Sequence, residues 1–500
     1  MPSEEVAELA GVLGALGAVL VLLPRARLAL LAGLALVATA EAMLGAFLLR
    51  GEAVGPSPVR LGLALAGTAA ILAGAFVFSR FPAVVPVALL LAAPFRLPVA
   101  FGGQERFLLL PLYAALASAV LALAYRTARR DDVAAAPRFL ALPAALFVAL
   151  AATSLLWSHD VRSGAIKLAF VLLPFTLLVA VLARAPYRSW LPRALAGALA
   201  SLAAAFALLG LSQLWTENLF FARDVEAANA DERFFRVTAV FNDPSIYGRY
   251  LAIAIVVLLV ALWLRRLSLP LGVGLIVLLS AGLYFSYSQS SLAALFVGVL
   301  AITLVAADAA SRRLVVAASV VLALVGAVLV LVVAQGDSLR RATSGRSDLV
   351  VNTAEVVRDH PLVGVGLGAE REASREHARE DGNRLGKASH TTALTVAAEL
   401  GAIGLAAFVV FLLGALALFA AAYARDEALG LGLGGAFLVV FVHSIFYSGF
   451  FEDPFVWGAM GVAAAATVAR RPLVRLAPGT LAPTPLPRQA IARTSRSPTP

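Results

Sequence analysis

A long succession of apolar blocks leaves this chain few ways to fold. They cover residues 6–23, 28–49, 61–78, 83–99, 107–125, 139–157, 165–183, 191–214, 250–264, 269–285, 292–307, 314–334, 403–423, 428–446 and 455–469. A helix needs about 20 apolar residues to cross a bilayer core. Lipid offers no partner to backbone N–H and C=O groups, so such blocks must be helical. The sequence therefore predicts an all-α, polytopic transmembrane bundle of about 12–15 spans. Its charged share, 14% against 61% hydrophobic, is far below the roughly one quarter of soluble globular chains. Block 83–99 carries Pro86, Pro94, Arg96 and Pro98, which predict a broken or re-entrant segment. The flank of the first block is acidic (Glu4, Glu5, Glu8), unlike the basic start of a cleaved signal peptide. The chain has no cysteine, which excludes disulfides and thiolate metal sites. Its net charge of +10 is spread over helix ends, a pattern of membrane orientation rather than of nucleic-acid binding.

Lys and Arg of short loops mark the cytoplasmic face. Arg25, Arg27, Arg80, Arg126, Arg129, Arg130, Arg184, Arg188, Arg193, Arg265, Arg266, Arg312, Arg313 and Arg425 fall on one side of the alternating blocks. With that side cytoplasmic, both long polar intervals lie outside. The expected organisation is N-terminal helices in 1–214, an extracytoplasmic loop 215–247 and central helices in 248–334. A larger and partly helical extracytoplasmic loop follows at 335–390, then C-terminal helices in 391–470. A basic, Pro-rich tail, 471–500, is expected to be disordered in the cytoplasm and to touch membrane lipids through its arginines.

Two features of the polar intervals go beyond solvation. Arg236 and Arg249 bracket a turn signal, Asn242-Asp243-Pro244, that runs directly into a span. Paired guanidinium forks there suit a phosphate group, and snorkelling to lipid headgroups is the plainer alternative. In the second interval, Leu349, Thr353, Val356 and Val357 recur at helical spacing, and Pro361 stops the helix. Arg346 stands at its start, where free N–H groups favour an anion. Gly364, Gly366 and Gly368 follow too closely spaced for a nucleotide loop and read as a backbone turn. His390 sits at the mouth of the next apolar helix, one of five histidines beside His159, His360, His377 and His443. No two of them have metal-ligand spacing, so no metal or other cofactor is expected.

In order and spacing these segments resemble the O-antigen ligase and polymerase family of bacterial membrane glycosyltransferases. The resemblance rests on Phe241-Asn242-Asp243-Pro244 after an outer-loop arginine, and on Tyr287-Ser288-Gln289-Ser290-Ser291. It rests above all on Gly345-Arg346, Asp359-His360-Pro361 with the glycine run to Gly368, Ser389-His390, and Glu399-Leu400-Gly401 with Gly404. Gln289 stands where the family often has arginine, and Thr391 where asparagine is common. The resemblance implies a fold like the GT-C membrane glycosyltransferases. It also implies transfer of a glycan from an undecaprenyl-diphosphate carrier to a lipid or glycan acceptor on the outer face of the cytoplasmic (inner) membrane. His390 would take the acceptor proton, at the ordinary imidazole pKa near 6.5. Arg236 and Arg346, with Arg249 as helper, would bind the departing diphosphate. Ligase and polymerase remain alternatives. A transporter would call for ionisable groups at the midplane, where these blocks carry almost none. A structural envelope partner would leave the Arg–Arg–His set unexplained.

Overall fold

The computed structural model describes residues 4–50, 58–101, 104–129, 136–231, 234–336, 346–380, 391–447 and 449–468. Met1–Val468 forms one compact unit and Ala469–Pro500 another. The tail lies outside the described residues.

In chain order the helices are α1 (Glu4–Leu22), α2 (Arg27–Leu48), α3 (Pro58–Arg80), α4 (Val85–Ala92), α5 (Leu110–Arg129), α6 (Arg138–Thr153), α7 (Val161–Lys167), α8 (Leu173–Ala183) and α9 (Leu191–Thr216). They continue as α10 (Arg223–Asp231), α11 (Pro244–Trp263), α12 (Leu269–Phe285), α13 (Gln289–Ala306) and α14 (Ala309–Gly336). The last are α15 (Arg346–Asp359), α16 (Glu370–Glu380), α17 (Thr392–Tyr423), α18 (Glu427–Phe446) and α19 (Pro454–Val468). Among the described residues 11 helices are long and apolar enough to cross a membrane, and α12 and α19 are shorter apolar helices. The protein is thus an all-α, multi-pass membrane bundle. Its two polar intervals carry the short helices α10, α15 and α16.

Among the described residues, segment 83–99 breaks up instead of forming a single helix. A 3-10 turn (Pro82–Val84) and the short helix α4 end before Pro94, whose ring and missing N–H stop a helix. The chain then turns back as an antiparallel hairpin, β1 (Leu97–Phe101) with β2 (Gln104–Leu108), in which Leu97 faces Leu108. Arg96 is left between helix and hairpin.

Packing divides the helices into two kinds. Only Phe78 of α3 is buried, and its leucines Leu61, Leu63 and Leu65 are exposed, as suits a lipid-facing helix. By contrast α11, α18 and α19 are buried along most of their length, around Trp457, Tyr247 and Phe450. Side-chain caps start the inner helices: Asp243 accepts from Ser245 and Ile246, Ser288 from Ser291 and Asp426 from Leu429. Each satisfies N–H groups that a helix leaves without a partner.

One inner helix is deliberately broken. In α17, Gly401 has φ 63° and ψ −162°, so the helix stops and restarts there. The freed backbone groups are met by the segment after α15. Val365 N–H donates to Ala398 O (2.9 Å) and Gly366 N–H to Glu399 O (2.8 Å), while Ala402 N–H donates to Pro361 O (2.8 Å). Non-helical backbone at membrane depth persists only when so satisfied. Gly364, Gly366 and Gly368 all have positive φ, and a Cβ on Gly366 would sit 2.3 Å from Ser158 Cα. The glycine run is therefore a strap. It ties the broken α17 to the turn before α7, where Ser158 Oγ donates to Leu367 O (3.0 Å) and Ser154 Oγ accepts from Leu367 N–H (3.0 Å).

Candidate functional site

Polar side chains converge at the end of the bundle where α11, α13, α17 and α19 begin and α9, α12 and α18 finish. Two Asp-Pro pairs organise it. Asp243-Pro244 opens α11 and Asp453-Pro454 opens α19: the aspartate caps, and proline takes the first turn, where its missing N–H costs nothing. Each carboxylate keeps an oxygen for a second duty. Asp243 Oδ2 accepts from the Tyr447 hydroxyl (2.9 Å), and Asp453 Oδ2 pairs with Arg249 (2.8 Å). Burial, and then the Asp243 carboxylate, push the Tyr447 phenol above its usual value.

Arg249 lies in the second turn of α11 and is 4% exposed, its partner Asp453 6%. Its other edge approaches His443 Nδ1 (3.5 Å). A guanidinium only donates, so Nδ1 accepts and the ring proton belongs on Nε2, which donates to Ser290 Oγ (3.1 Å). The hydroxyls continue from Ser290 to Ser288 (3.2 Å) and from Ser288 to Ser291 (2.7 Å), and Ser291 donates to Ser245 O (3.1 Å). The ladder returns to the first turn of α11. It closes a network that fixes the starts of three helices to the end of α18.

Arg96 belongs beside this network. Burial, and then the nearby Arg249 guanidinium, pull its pKa down, against the Asp453 carboxylate. A cleft of about 20 Å³ lies between Arg96, Arg249, Asp453 and the rings of Phe241 and Tyr250.

Arg236 reaches the same place from the first polar interval. Asn229 grips its backbone twice, accepting from Arg236 N–H (3.0 Å) and donating to Arg236 O (3.1 Å). Its Nε donates to Ser286 O (3.3 Å). The Ser286 hydroxyl lies where a Cβ on Gly248 would come within 2.9 Å of it, so Arg236 is tied to a turn that packs on the start of α11. Downstream, Gln213 of α9 accepts from Thr238 and Ala239 N–H (3.0 and 2.8 Å) and donates to Ala239 O (3.0 Å). This holds Ala239 at φ 50° and delivers Arg236 as a half-buried group with little freedom to move.

A second polar cluster sits beside the strap. The Lys167 ammonium forms a close ion pair with Glu399 Oε1, the last residue but one before the α17 break. Lys167 ends α7 and is followed by one π-helical turn, Leu168–Leu172, a distortion common at functional sites. The pair, Glu452, Thr392 and Thr395 line a cavity of about 60 Å³.

Of the residues singled out by sequence, Arg249 lies inside the network and Arg236 joins it through Ser286 O. Arg346 begins α15, but its side chain is outside the described residues, as is His390. The next residue, Thr391, precedes the first turn of α17 and donates through Oγ1 to Ile445 O (3.0 Å) at the end of α18. His443, Asp453, Arg96, Lys167 and Glu452 were not singled out. A signal for Asp453 was available: its Asp-Pro pair repeats that of Asp243 at the mouth of another apolar block. His443 had none, because a lone histidine in a span gives no spacing to read.

No curated protein matches the sequence. Residues 274–409, from early in α12 to the middle of α17, match a family model described as O-Antigen ligase. That stretch supplies Ser286 to Ser291, α15, the glycine strap and the Gly401 break. Through it the chain is similar to the O-antigen ligases.

Proposed function

We propose that this protein moves a glycan from an undecaprenyl-diphosphate carrier to an acceptor hydroxyl, at the extracytoplasmic face of the cytoplasmic membrane and without a metal. The observation that carries this reading is the attachment of Arg236 to Ser286, in the O-antigen ligase-like stretch whose Ser288, Ser290 and Ser291 lead on to His443 and Arg249. As the acceptor oxygen attacks the anomeric carbon, its proton passes to His390. The bond from that carbon to the diphosphate breaks with its electron pair on the departing oxygen. One displacement inverts the centre through an oxocarbenium-like transition state. Arg236 and Arg346 receive the growing charge through their guanidinium donors. Arg249, enclosed by Asp453 and His443, positions the helix starts around them.

The decisive test separates the arginine from the histidine, on purified, monodisperse protein with a lipid-diphosphate glycan donor. Arg236→Ala weakens donor binding and turnover together, and Arg236→Lys restores only part, since a point charge does not replace a fork. His390→Ala leaves donor affinity near wild type while turnover falls roughly 10²–10⁴-fold. Wild-type turnover declines below about pH 6.5 as the imidazole protonates, and EDTA leaves it unchanged. A fully active His390→Ala protein removes the base from this mechanism.

A further inference from the structure

Along the flank of the bundle runs a cavity of about 500 Å³ between α4, α9, α11, α12, α18 and α19. Its walls are almost wholly aliphatic. Three glycines line it, Gly197 on α9, Gly432 on α18 and Gly458 on α19, and a Cβ on any of them would meet no atom within 4 Å. Small residues in membrane helices ordinarily let neighbouring backbones touch. Here they hold a space open instead.

The two ends of this groove differ. One end shares Ala93, Ile253, Pro454 and Phe455 with the 20 Å³ cleft beneath Arg249. That cleft has room for about one water, too little for a phosphate group. The other end is lined by Arg193 and Arg266. Arg193 is exposed and has no partner among the described residues, and the only carboxylate within 4 Å of Arg266 among them is Asp426, at 3.8 Å. The backbone is shaped to hold Arg266 there. Arg265 N–H donates to Leu262 O (2.9 Å) and Arg266 N–H to Ala261 O (2.8 Å), with Arg265 at φ 52°. This is the helix ending in which glycine usually takes the left-handed position. An arginine sits there at a cost of about 1–2 kcal/mol.

We propose that the groove is a binding site for an anionic glycerophospholipid, one acyl chain lying in the cavity and its phosphate bridging Arg193 and Arg266. Basic pockets between membrane helices hold such headgroups. The inference stands apart from the transferase reading, because it uses none of the residues assigned to that chemistry.

The test uses the full chain in neutral detergent. It is incubated with phosphatidylglycerol or phosphatidylcholine of identical acyl chains, and bound lipid is counted by native mass spectrometry. Two arginines near a phosphate favour the anionic lipid about thirty-fold. Arg193→Gln/Arg266→Gln brings the two lipids to within about threefold of each other. Gly197→Leu/Gly458→Leu, which fills the groove, abolishes retention of both. Should that variant fail to fold, the arginine pair alone decides. Equal retention of the two lipids by wild type overturns the proposal. So does displacement of phosphatidylglycerol by millimolar inorganic phosphate alone, or a co-purified polyprenyl lipid that phosphatidylglycerol does not displace.

Discussion

Arg249 and Arg266 belong to the two ends of α11, about 25 Å apart along its axis. Arg249 is almost fully enclosed, with Asp453 at 2.8 Å and His443 at 3.5 Å. Arg266 is 45% exposed and 3.8 Å from Asp426. At the first end the fold spends a carboxylate and an imidazole on fixing a guanidinium, so its direction is set before any ligand arrives. At the second it leaves guanidinium groups open to solvent around an apolar groove. A charge that is fixed organises a reaction site, whereas a charge left open recruits a ligand.

The contrast breaks most visibly at Asp453. Asp453→Ala leaves Arg249 buried and uncompensated, and is expected to cost about 3–5 kcal/mol, read as a large fall in the thermal midpoint in detergent. Arg249→Met/Asp453→Leu removes both charges and should recover most of that loss. Donor turnover stays low, because Arg96 and the helix starts have lost their anchor. If Asp453→Ala melts like the wild type, the pair does not hold this end together.

Next in size is the strap. Gly366→Ala imposes about 1–2 kcal/mol of left-handed backbone strain. It also drives a methyl into Ser158 Cα, 2.3 Å from the ideal Cβ. The groove glycine Gly197 is the control: with no atom within 4 Å of its Cβ, Gly197→Ala is expected to stabilise by about 0.5–1 kcal/mol through helix propensity. Equal melting of the two variants would show that positive φ at Gly366 carries no structural demand.

How much of this was readable in advance depended on whether the signal was local. The spans follow from unbroken apolar runs, and the failure at 83–99 from Pro94 and Pro98. The glycine turn showed in its spacing, and Asp243 in the Asp-Pro pair before an apolar block. What the strap does was invisible, because its partners Ser158 and Glu399 are far away in sequence and nothing local tells that they meet the glycine run. The same holds for Lys167 with Glu399 and for His443 with Ser290. Single polar residues in apolar helices carry no periodicity, and only packing shows which of them meet. Arg249 illustrates the limit. Its position before a span suggested a phosphate ligand, yet the residues that enclose it lie about 200 positions further along the chain.

A smaller effect is expected at Tyr447. Tyr447→Phe removes a hydrogen bond to a carboxylate and should cost about 1.5 kcal/mol. The sign of its pH dependence is fixed by the raised phenol pKa. Tyr447 contributes fully below the unfolded tyrosine value near 10, and that stability is lost as pH rises above it. The variant should therefore unfold less steeply at alkaline pH than the wild type. A parallel alkaline profile would detach Tyr447 from the capping of α11.

The least effect on the protein alone should come from Arg266, and for that reason it sharpens the comparison best. An exposed ion pair at 3.8 Å contributes at most about 1 kcal/mol, and Asp426 retains its other bonds, from Leu429 N–H and the Tyr187 hydroxyl. In neutral detergent Arg266→Gln should shift stability by less than about 0.5 kcal/mol. Phosphatidylglycerol changes the outcome, because a ligand of the native state raises the midpoint in proportion to its affinity. Wild type should gain stability as the lipid is titrated, and Arg266→Gln should gain less. Arg249 offers the reverse pattern, a variant impaired at every lipid concentration. Matching titration curves for wild type and Arg266→Gln would mean that the open arginine end recruits nothing, and the two ends of α11 would then differ in burial alone.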